Sequence, residues 1–452
     1  MESWANKSEE LIEEIKNVEI QPEGEDVTKA DLSYMKKILR THLIESKNNV
    51  EVFRKDPKSP LYSVKSFEEL RLSDELLKGL YEMGFQKPSK IQETVLPVLI
   101  ANPPTNIIAQ SQSGTGKTAA FLLSSLKRVN IELEYPQVLI LSPTFELALQ
   151  TAEVAKKMAK FTKTTFRHVV KGEARPPQRI KEHVIIGTPG KMVDWALRFR
   201  AFDLKKINVF ILDEADVMID TQGHGTQSIK LQKELRSNCQ MMLFSATYDE
   251  EVMKFAETII PDALIIQLKR EEESLENITQ YYVVCKDEND KYIALANIFG
   301  TVSIGQTFIF CHTKRSANAL KTKLEGDGHA VSLITGDLSV EERTDILKRF
   351  KNGDERVLIT TNLMARGIDV EQVTVVINYD LPINMANKDI DFETYLHRIG
   401  RTGRFGKSGL AINLIDSDRT MGMIRKLEDH FGRKIVKLDA FNVDEIEKIQ
   451  VD

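Results

Sequence analysis

Short apolar runs alternate with helical patterns along most of this 452-residue chain, and few folds accommodate such an alternation. Buried strands joined by crossover helices form parallel sheets that are covered on both faces. The runs fall into two series, so the pattern predicts an α/β protein with two parallel-sheet domains. The first series is Asn106–Ala109, Val138–Leu141, Val184–Ile186 and Val209–Leu212, and the second is Thr307–Phe310, Val331–Ile334, Val357–Thr360, Val373–Asn378 and Leu410–Ile415.

A charged interval separates the two series. Residues 269–280 read KREEESLENITQ, a composition suited to a linker between domains. We therefore expect a first domain at 61–268 and a second domain at 281–452. Residues 1–60 are charge-rich and form an N-terminal extension.

The N-terminal extension contains one amphipathic pattern. Leu32, Met35, Leu39 and Leu43 follow one another at helical spacing with basic residues between them, which predicts a helix. This helix either belongs to a mobile regulatory segment or packs permanently on the body of the protein. The sequence favours neither alternative.

Cysteine spacing, the length of apolar runs and net charge limit which cellular compartment and which kinds of partner we expect. Cys239, Cys285 and Cys311 lie far apart and outside any CxxC spacing, so they predict neither a disulfide framework nor a zinc site. No apolar run approaches the roughly 20 residues that span a bilayer, and the N-terminus lacks a secretory pattern. We expect a soluble protein of a reducing, intracellular compartment. The net charge of −5 argues mildly against a nucleic-acid partner, so any such site must be a local, shaped groove.

A glycine-rich turn follows the first apolar run, where a helical pattern begins. Its residues are Gln110, Ser111, Gln112, Ser113, Gly114, Thr115, Gly116, Lys117 and Thr118. Glycines let backbone N–H groups face phosphate oxygens, a lysine supplies positive charge, and a hydroxyl can hold Mg²⁺. We therefore predict a nucleotide site with Lys117 as its cation and Thr118 as a metal ligand. The general phosphate-loop pattern opens with glycine, where this chain has Ser111.

Two acidic residues, Asp213 and Glu214, follow directly after the apolar run that ends at Leu212. An aspartate at the end of a strand can hold Mg²⁺, and the next carboxylate can orient or deprotonate an attacking water. Such a pair is common on protein surfaces and is weak evidence by itself. Together with Lys117 it predicts hydrolysis of a nucleoside triphosphate.

These residues and several further blocks resemble the DEAD-box RNA helicases, and the blocks occur in that family's order. They are Gly84-Phe85 with Pro88-Ser89-Lys90-Ile91-Gln92, Asp213-Glu214-Ala215-Asp216, Ser245-Ala246-Thr247, Thr360-Thr361-Asn362, Ala365-Arg366-Gly367-Ile368-Asp369 and His397-Arg398-Ile399-Gly400-Arg401-Thr402-Gly403-Arg404. The resemblance implies two RecA-like domains joined by a short linker, with a partly helical N-terminal extension. It also implies an ATP hydrolase that acts as an RNA helicase, with ATP and Mg²⁺ as cofactors.

The resemblance assigns adenine recognition to Gln92, whose amide can both donate and accept hydrogen bonds. It assigns base stacking to Phe85, with Phe67 behind it, although both phenylalanines could instead be core residues. Asp213 would join Thr118 as a metal ligand, and Glu214 would act on the attacking water.

From the second domain, the resemblance assigns the ribose to Asp369 and a link to the first domain's triphosphate site to His397. Arg401 and Arg404 would contact the γ-phosphate as arginine fingers, because guanidinium is planar, always charged and matched to phosphate oxygens. Hydrolysis should then need closed domains. The alternative is that these arginines belong to an exposed basic helix.

The resemblance also implies an RNA-binding surface on both domains. Its residues are Pro143, Thr144, Gly172, Thr188, Pro189, Gly190, Gly336, Asp337, Arg343, Thr360 and Arg366. Glycines and hydroxyls suit backbone phosphates and 2′-OH groups, which select RNA without reading its sequence. Ser245 and Thr247 would couple the acidic block Asp213–Asp216 to this surface. Phe145 stands where the family has arginine, and Lys171 where many members have glycine, so binding in the first domain should be weaker or differently shaped.

Shorter segments resemble the messenger-RNA-export subfamily, which acts at the cytoplasmic face of the nuclear pore. They are residues 59–64, Thr221-Gln222-Gly223-His224, the insert Asn384–Asp391 and Asp444-Glu445-Ile446-Glu447-Lys448-Ile449. The subfamily implies three partners: single-stranded or short duplex RNA, an inositol-hexakisphosphate-bound export activator and a cytoplasmic-face nucleoporin. It implies a monomer of cytoplasm and nucleus, concentrated at the pore and without membrane insertion. It further suggests that the Leu32–Leu43 helix enters the cleft between the domains and inhibits the enzyme when ATP is absent.

Two other functions remain open. The same residues could form an ATP-gated RNA clamp or scaffold whose unwinding of duplexes is incidental. The phosphate loop could also belong to a nucleotide kinase, although the arginine block of the second domain argues against it.

Overall fold

The strands of the protein form two sheets. The computed structural model describes residues 50–53, 63–110, 116–169, 176, 178–220, 223–246, 250–268, 277–301, 305–361, 373–384, 388–403 and 408–449. The helix predicted at Leu32–Leu43 lies outside these residues. Strands of the first sheet come from residues 50–268, and those of the second come from residues 278–437.

The first sheet has eight strands. They are β1 (Val50–Phe53), β2 (Ile107–Gln110), β3 (Val138–Leu141), β4 (Phe166–Val169), β5 (Val184–Gly187), β6 (Val209–Leu212), β7 (Gln240–Ser245) and β8 (Leu264–Leu268). Their spatial order is β1-β8-β2-β7-β6-β3-β5-β4. The edge strand β1 is antiparallel to β8, and all other pairs are parallel. The carboxyl ends of β2 to β8 therefore lie at one edge of the sheet.

The second sheet has seven strands, all paired in parallel. They are β9 (Ile278–Val284), β10 (Gln306–Cys311), β11 (Val331–Ile334), β12 (Val357–Thr361), β13 (Val373–Asn378), β14 (Gly409–Ile415) and β15 (Val436–Lys437). Their spatial order is β11-β12-β10-β13-β14-β9-β15. The order reverses between β10 and β13, as in doubly wound α/β folds.

Helices connect the strands of both sheets. Those of the first are α1 (Asp74–Glu82), α2 (Lys90–Ile100), α3 (Lys117–Lys127), α4 (Phe145–Met158), α5 (Pro189–Val193), α6 (Ala215–Asp220), α7 (His224–Lys233) and α8 (Glu250–Ile259), and those of the second are α9 (Glu288–Thr301), α10 (Lys314–Gly326), α11 (Val340–Asn352), α12 (Phe392–Ile399), α13 (Asp418–Phe431) and α14 (Val443–Ile446). Side chains at N-cap positions fix where several helices begin. Thr144, Thr313 and Ser339 each accept a hydrogen bond from a backbone N–H of the first turn. No helix in the described part of the chain is long and apolar enough to cross a membrane.

Continuous apolar runs arise because both faces of each sheet are covered. In β3, Val138 and Ile140 pack into one hydrophobic core, while Leu139 and Leu141 pack into another. Successive side chains of a strand point to opposite faces, so a strand buried on both faces has no polar alternation. The same division occurs in β10 of the second sheet.

The structure confirms the fold class predicted from the sequence. All nine apolar runs are strands, with ends that differ by one residue at most. Six further strands were not predicted: β1, β4, β7, β8, β9 and β15. Two of them extend beyond the expected domains. Val50–Phe53, in the expected N-terminal extension, pairs with β8 of the first sheet, and β9 begins at Ile278, inside the expected linker.

Candidate active site

The order of the strands sorts the predicted site residues into two groups. Lys117 follows β2, Asp213 follows β6 and Ser245 ends β7, and these three strands are adjacent in the order β2-β7-β6. Because parallel strands end at one edge, Lys117 and Asp213, which are predicted to bind nucleotide and metal, share one stretch of that edge with Ser245, which is predicted to couple this site to RNA.

The residues predicted to bind RNA follow neighbouring strands in each sheet. In the first sheet, Pro143 and Thr144 follow β3, and Thr188–Gly190 follows β5, which pairs with β3. In the second sheet, Gly336 follows β11 and Thr360 lies in β12, which pairs with β11. In each sheet the residues predicted to bind RNA thus lie on two neighbouring strands toward one side of the sheet.

Gln92 ties the start of α2 to the end of the phosphate loop. Gly116 has a φ of 98°, a left-handed conformation that favours glycine. A Cβ atom at Gly116 would lie 2.4 Å from Gln92 Nε2. Instead, Gln92 Nε2 donates to the Gly116 carbonyl at 3.0 Å, and Gln92 Oε1 accepts from the Ser89 N–H at 2.9 Å. An adenine contact of Gln92 therefore stays a proposal that would use the second N–H and the second lone pair of the amide.

The acidic pair lies buried near a lysine. Asp213 and Glu214 are 2% and 7% exposed, and Lys117 is 8% exposed. Burial raises the pKa of Asp213, the positive charge of Lys117 opposes that rise, and the Glu214 carboxylate adds to it. A buried pair of acids with one nearby cation carries excess negative charge, which a further cation would neutralise.

The backbone of Glu214 is strained and its carboxylate is incompletely bonded. Its φ of 50° lies in the left-handed region, which is uncommon for residues other than glycine. Among the described residues, no hydrogen-bond donor reaches Glu214 Oε2. A buried acceptor without a donor is costly, so this oxygen is suited to a bound water.

The same residues fit a Mg²⁺ ion. Magnesium binds hard oxygen ligands and usually keeps several waters. One oxygen of Asp213 accepts from the Glu214 N–H at 3.1 Å, which orients the carboxylate at the end of β6. Thr118 lies in the first turn of α3, directly after Lys117. Asp213 and Thr118 are thus a fitting donor set, and their role as metal ligands stays a proposal.

A hydrogen bond joins the two domains beside the acidic pair. His397 Nε2, from α12 of the second domain, lies 2.8 Å from Asp216 Oδ2, from α6 of the first domain. Both side chains are almost completely buried. The Asp216 N–H also donates to Ser245 Oγ at 3.3 Å. Ser245 and His397 therefore meet the same acidic residue, one from each domain.

Arg401 is held next to this contact. Its Nε donates to the His397 carbonyl at 2.9 Å, and the residue is 3% exposed. The following residue, Thr402, donates from Oγ1 to the Val373 and Thr374 carbonyls at the start of β13. Arg401 is therefore a fixed, buried group near the domain contact and does not belong to an exposed basic helix.

A second contact between the domains involves a residue predicted to bind RNA. Arg343 Nε of α11 lies 3.3 Å from Glu146 Oε1 of α4, and both side chains are largely buried. Glu146 was not predicted as a site residue. It lies in the first turn of α4, directly after Thr144 and Phe145, and therefore beside the residues of the first domain that are predicted to bind RNA.

The other residues predicted to bind RNA differ in exposure, and Thr360 is completely buried. Thr144 caps α4, and Thr188 precedes Pro189 at the start of α5. Gly336 and Asp337 are exposed. Asp337 accepts from Thr335 Oγ1 and pairs with Lys314, which lowers the pKa of Asp337 to about 2.

Two aromatic residues of the predicted adenine site differ in burial. Phe67 is 1% exposed and belongs to the first hydrophobic core, which agrees with the alternative that it is a core residue. Phe85 is half-buried and packs against that core. Phe145, which stands where the family has arginine, is also half-buried and packs against the core, so its ring does not replace the charge of that arginine.

Several predicted site residues lie outside the described part of the chain: Ser111, Gln112, Ser113, Gly114, Thr115, Gly172, Thr247, Arg366, Asp369 and Arg404.

Comparison with known families matches both domains. Residues 89–255 match the family described as DEAD/DEAH box helicase, and residues 290–406 match the helicase conserved C-terminal domain. The DEAD-box helicase Dbp80 of Drosophila melanogaster is 55% identical, over 99% of this chain and all of that protein. The human ATP-dependent RNA helicase DDX19B is 53% identical, over 96% of this chain and 91% of that protein.

Solved structures of a yeast helicase are also similar to this chain. Dbp5 of S. cerevisiae bound to RNA and ADP BeF3 has a TM-score of 0.81 and 47% identity, covering 85% of this chain and 98% of that chain. A variant of the same protein bound to Nup159, Gle1, IP6 and ADP has a TM-score of 0.64 and 45% identity, covering 83% and 98%. Identity and coverage are nearly equal for the two structures, and the TM-score is higher for the RNA-bound one.

Proposed function

Because this chain belongs to the DEAD-box family of ATP-dependent RNA helicases, we propose that it couples ATP hydrolysis to closure of its two domains around RNA. Closure would separate short duplexes or remodel ribonucleoproteins. The observation that supports this proposal best is the buried hydrogen bond between Asp216 of the first domain and His397 of the second. It joins Asp216, of the acidic block Asp213–Asp216, to α12, which ends at Ile399, two residues before Arg401. By this proposal the catalytic site is complete only when the domains meet.

On the first domain, the backbone N–H groups at the start of α3 and the Lys117 ammonium would bind the phosphates. Mg²⁺, held by Thr118 and Asp213, would supply positive charge to the phosphate oxygens. Glu214 would accept a proton from the attacking water at Oε2, which has no donor among the described residues.

On the second domain, Arg401 would stabilise the charge that develops on the γ-phosphate. Its Nε is already bonded to the His397 carbonyl, so this contact would fall to the terminal guanidinium nitrogens. Arg404 and Asp369 would add a second finger and a ribose contact. RNA would bind along β3 and β5 of the first sheet and β11 and β12 of the second, through phosphates and 2′-OH groups.

For the cellular setting we propose messenger-RNA export at the nuclear pore. Short segments of this chain resemble the export subfamily, and the yeast protein Dbp5 has been solved with Nup159, Gle1 and IP6. By this proposal the chain would bind a cytoplasmic-face nucleoporin and an inositol-hexakisphosphate-bound activator. It would be a monomer of the cytoplasm and nucleus, concentrated at the cytoplasmic face of the pore.

RNA should stimulate ATP hydrolysis. An arginine finger contributes about 10³–10⁵ to turnover in GTPases, and Arg401 would act only in the closed form, so single-stranded RNA should raise turnover by at least roughly tenfold. The measurement is steady-state ATPase activity with and without RNA. Equal rates would contradict the proposed coupling. Retention of RNA under a non-hydrolysable analogue, without separation of a short duplex under ATP, would indicate a clamp instead.

The Arg343–Glu146 pair should contribute to RNA-dependent closure. Arg343→Gln and Glu146→Gln should each raise the RNA concentration that half-saturates the ATPase, by about tenfold, because a largely buried charged partner is removed. If the pair acts as a unit, the double variant should be no worse than the more affected single variant. Fully additive effects would instead assign Arg343 to RNA alone.

A further inference from the structure

A chain of buried polar side chains runs through the second domain, and none of its members is a predicted nucleotide or RNA residue. It joins α12 to three adjacent strands of the sheet, β13, β14 and β9. Its members are Gln280, Tyr395, Asn413, Asn378 and Arg398, of which Gln280 is 7% exposed and the others are completely buried.

The contacts form one continuous path. Tyr395 Oη, on α12, donates to Gln280 Oε1 at 2.8 Å and accepts from Asn413 Nδ2 at 3.1 Å. Asn413 Oδ1 accepts from Asn378 Nδ2 at 2.9 Å. Arg398, one helical turn after Tyr395, donates from one terminal nitrogen to Asn378 Oδ1 at 2.8 Å. The path therefore leaves α12 at Tyr395 and returns to it at Arg398.

Two members of the path, Asn413 and Arg398, are also anchored to backbone atoms. Asn413 Nδ2 also donates to the Tyr281 carbonyl at 3.0 Å, and Arg398 also donates to the Asp380 carbonyl at 2.7 Å. The guanidinium of Arg398 lies 4.9 Å from the centre of the Phe310 ring. A shift of α12 along the sheet would break several of these bonds together, because the strand atoms cannot follow it.

Buried polar networks specify a position more than they add stability. Apolar side chains of similar shape often stabilise a core as well as a buried charged or polar group does, but they tolerate sliding. A connected polar path has few arrangements that satisfy its donors and acceptors. Here the bonds between α12 and the three strands fix where α12 lies on the sheet.

The same helix carries the residue that bonds to the other domain, and Arg401 lies two residues after the last helical residue, Ile399. His397, which bonds to Asp216, lies between Tyr395 and Arg398, and Arg401 bonds to the His397 carbonyl. Just past this segment, a Cβ atom at Gly403 would lie 2.6 Å from Ile278 Cγ1, so the chain is also tight after Arg401. The helix is therefore held from its sheet face while its other side meets the first domain.

We propose that Tyr395 and Asn413 are positioning residues for hydrolysis: they hold α12 in the one register in which His397 and Arg401 reach the first domain. This inference rests on the proposed closure and names the interior contacts that make closure productive. Neither residue touches nucleotide or RNA in this account. A displacement of about 1 Å at a reacting group can cost about 100-fold in rate, so loss of one tether should be measurable.

The test compares two tyrosine hydroxyls of the same domain. Tyr395→Phe removes the hydroxyl in the path, while Tyr379→Phe removes a hydroxyl that donates to the Glu288 carbonyl at 3.2 Å, outside the path. Tyr379 is also buried, at 4% exposure. We expect Tyr395→Phe to lower the RNA-stimulated turnover by about 5- to 50-fold, with RNA-independent ATP binding within about twofold of the unmodified chain. Tyr379→Phe should leave both quantities within about twofold.

A second variant separates positioning from stability. In Tyr395→Phe the Gln280 oxygen is left without its donor, which lowers Tm for a reason unrelated to register. Adding Gln280→Met removes that acceptor, so the double variant should recover its Tm while its turnover stays low. Recovery of turnover together with Tm would overturn the proposal.

The remaining outcomes are also decisive. Turnover of Tyr395→Phe equal to that of the unmodified chain would contradict positioning, whereas absence of RNA stimulation in the unmodified chain would contradict the proposed function itself. Failure of both Tyr395→Phe and the double variant to fold would show that the path maintains the fold instead of a register, and would overturn the proposal too.

Discussion

Glu214→Gln should lower ATP turnover by about 10²- to 10⁴-fold while ATP binding stays within about twofold of that of the unmodified chain. Glutamine keeps the size and the buried position of Glu214, which is 7% exposed. It cannot accept the proton of the attacking water, and it has no negative charge with which to orient that water. Binding is expected to persist because Lys117 and the start of α3 are unchanged.

The measurements are steady-state ATPase activity with saturating RNA and equilibrium binding of a fluorescent ATP analogue. Glu257→Gln is a matched control, because Glu257 is an exposed residue of α8 in the same domain. Turnover of Glu214→Gln within about threefold of the control would remove Glu214 as the base. A parallel loss of ATP binding would assign it to nucleotide affinity instead.

Arg401→Gln should lower RNA-stimulated turnover by about 10³-fold, the lower end of the range for arginine fingers. The substitution removes a planar charged group that sits beside the domain contact and is 3% exposed. ATP binding to the first domain without RNA should stay within about twofold, because Arg401 belongs to the other domain. Arg401→Lys should recover little, since an ammonium cannot reproduce the bidentate geometry of guanidinium.

The quantities to compare are turnover with saturating RNA and the dissociation constant for ATP without RNA. Arg425→Gln, at an exposed position of α13, controls for the loss of one positive charge from the second domain. Equal losses in the two variants would mean that general charge matters and not a finger. A large loss of RNA-free ATP binding in Arg401→Gln would mean that the domains close without RNA.

The sequence predicted the strands that are buried on both faces, because such strands are continuous apolar runs. It failed where burial is one-sided or partial. β4 contains Arg167 and His168 and is only partly buried at the edge of its sheet. β9 mixes buried, half-buried and exposed residues, and it begins inside the interval predicted as a linker. β7 reads QMMLFS and is completely buried, so its pattern was present and was missed.

For the site, the sequence predicted residues that follow strands, since short motifs of neighbouring residues indicate their roles. It could not identify partners brought together by the fold. The Ser89-to-Gln92 spacing is that of a capping box, yet the Gly116 carbonyl that Gln92 also binds belongs to a different loop. Glu146 and Arg343 each lie near the start of an unremarkable helix, and no local pattern indicates that the two domains place them together.

The proposed catalytic site is divided between two domains. Neither of the two contacts found between the described residues of the domains is strong, because a hydrogen bond to a charged group contributes about 1.5–3 kcal/mol and part of that offsets desolvation. RNA lying across the ends of both sheets would add enough contacts to favour the closed form. Hydrolysis would then depend on RNA without RNA touching the phosphates.

The most direct test is the distance between the Arg401 guanidinium and the terminal phosphate in a crystal structure with a non-hydrolysable ATP analogue and single-stranded RNA. A divided site predicts a charge-assisted hydrogen bond of about 2.7–2.9 Å, with His397 still bonded to Asp216. A structure in which both ligands are bound and Arg401 points into solvent, remote from the phosphate, would contradict it.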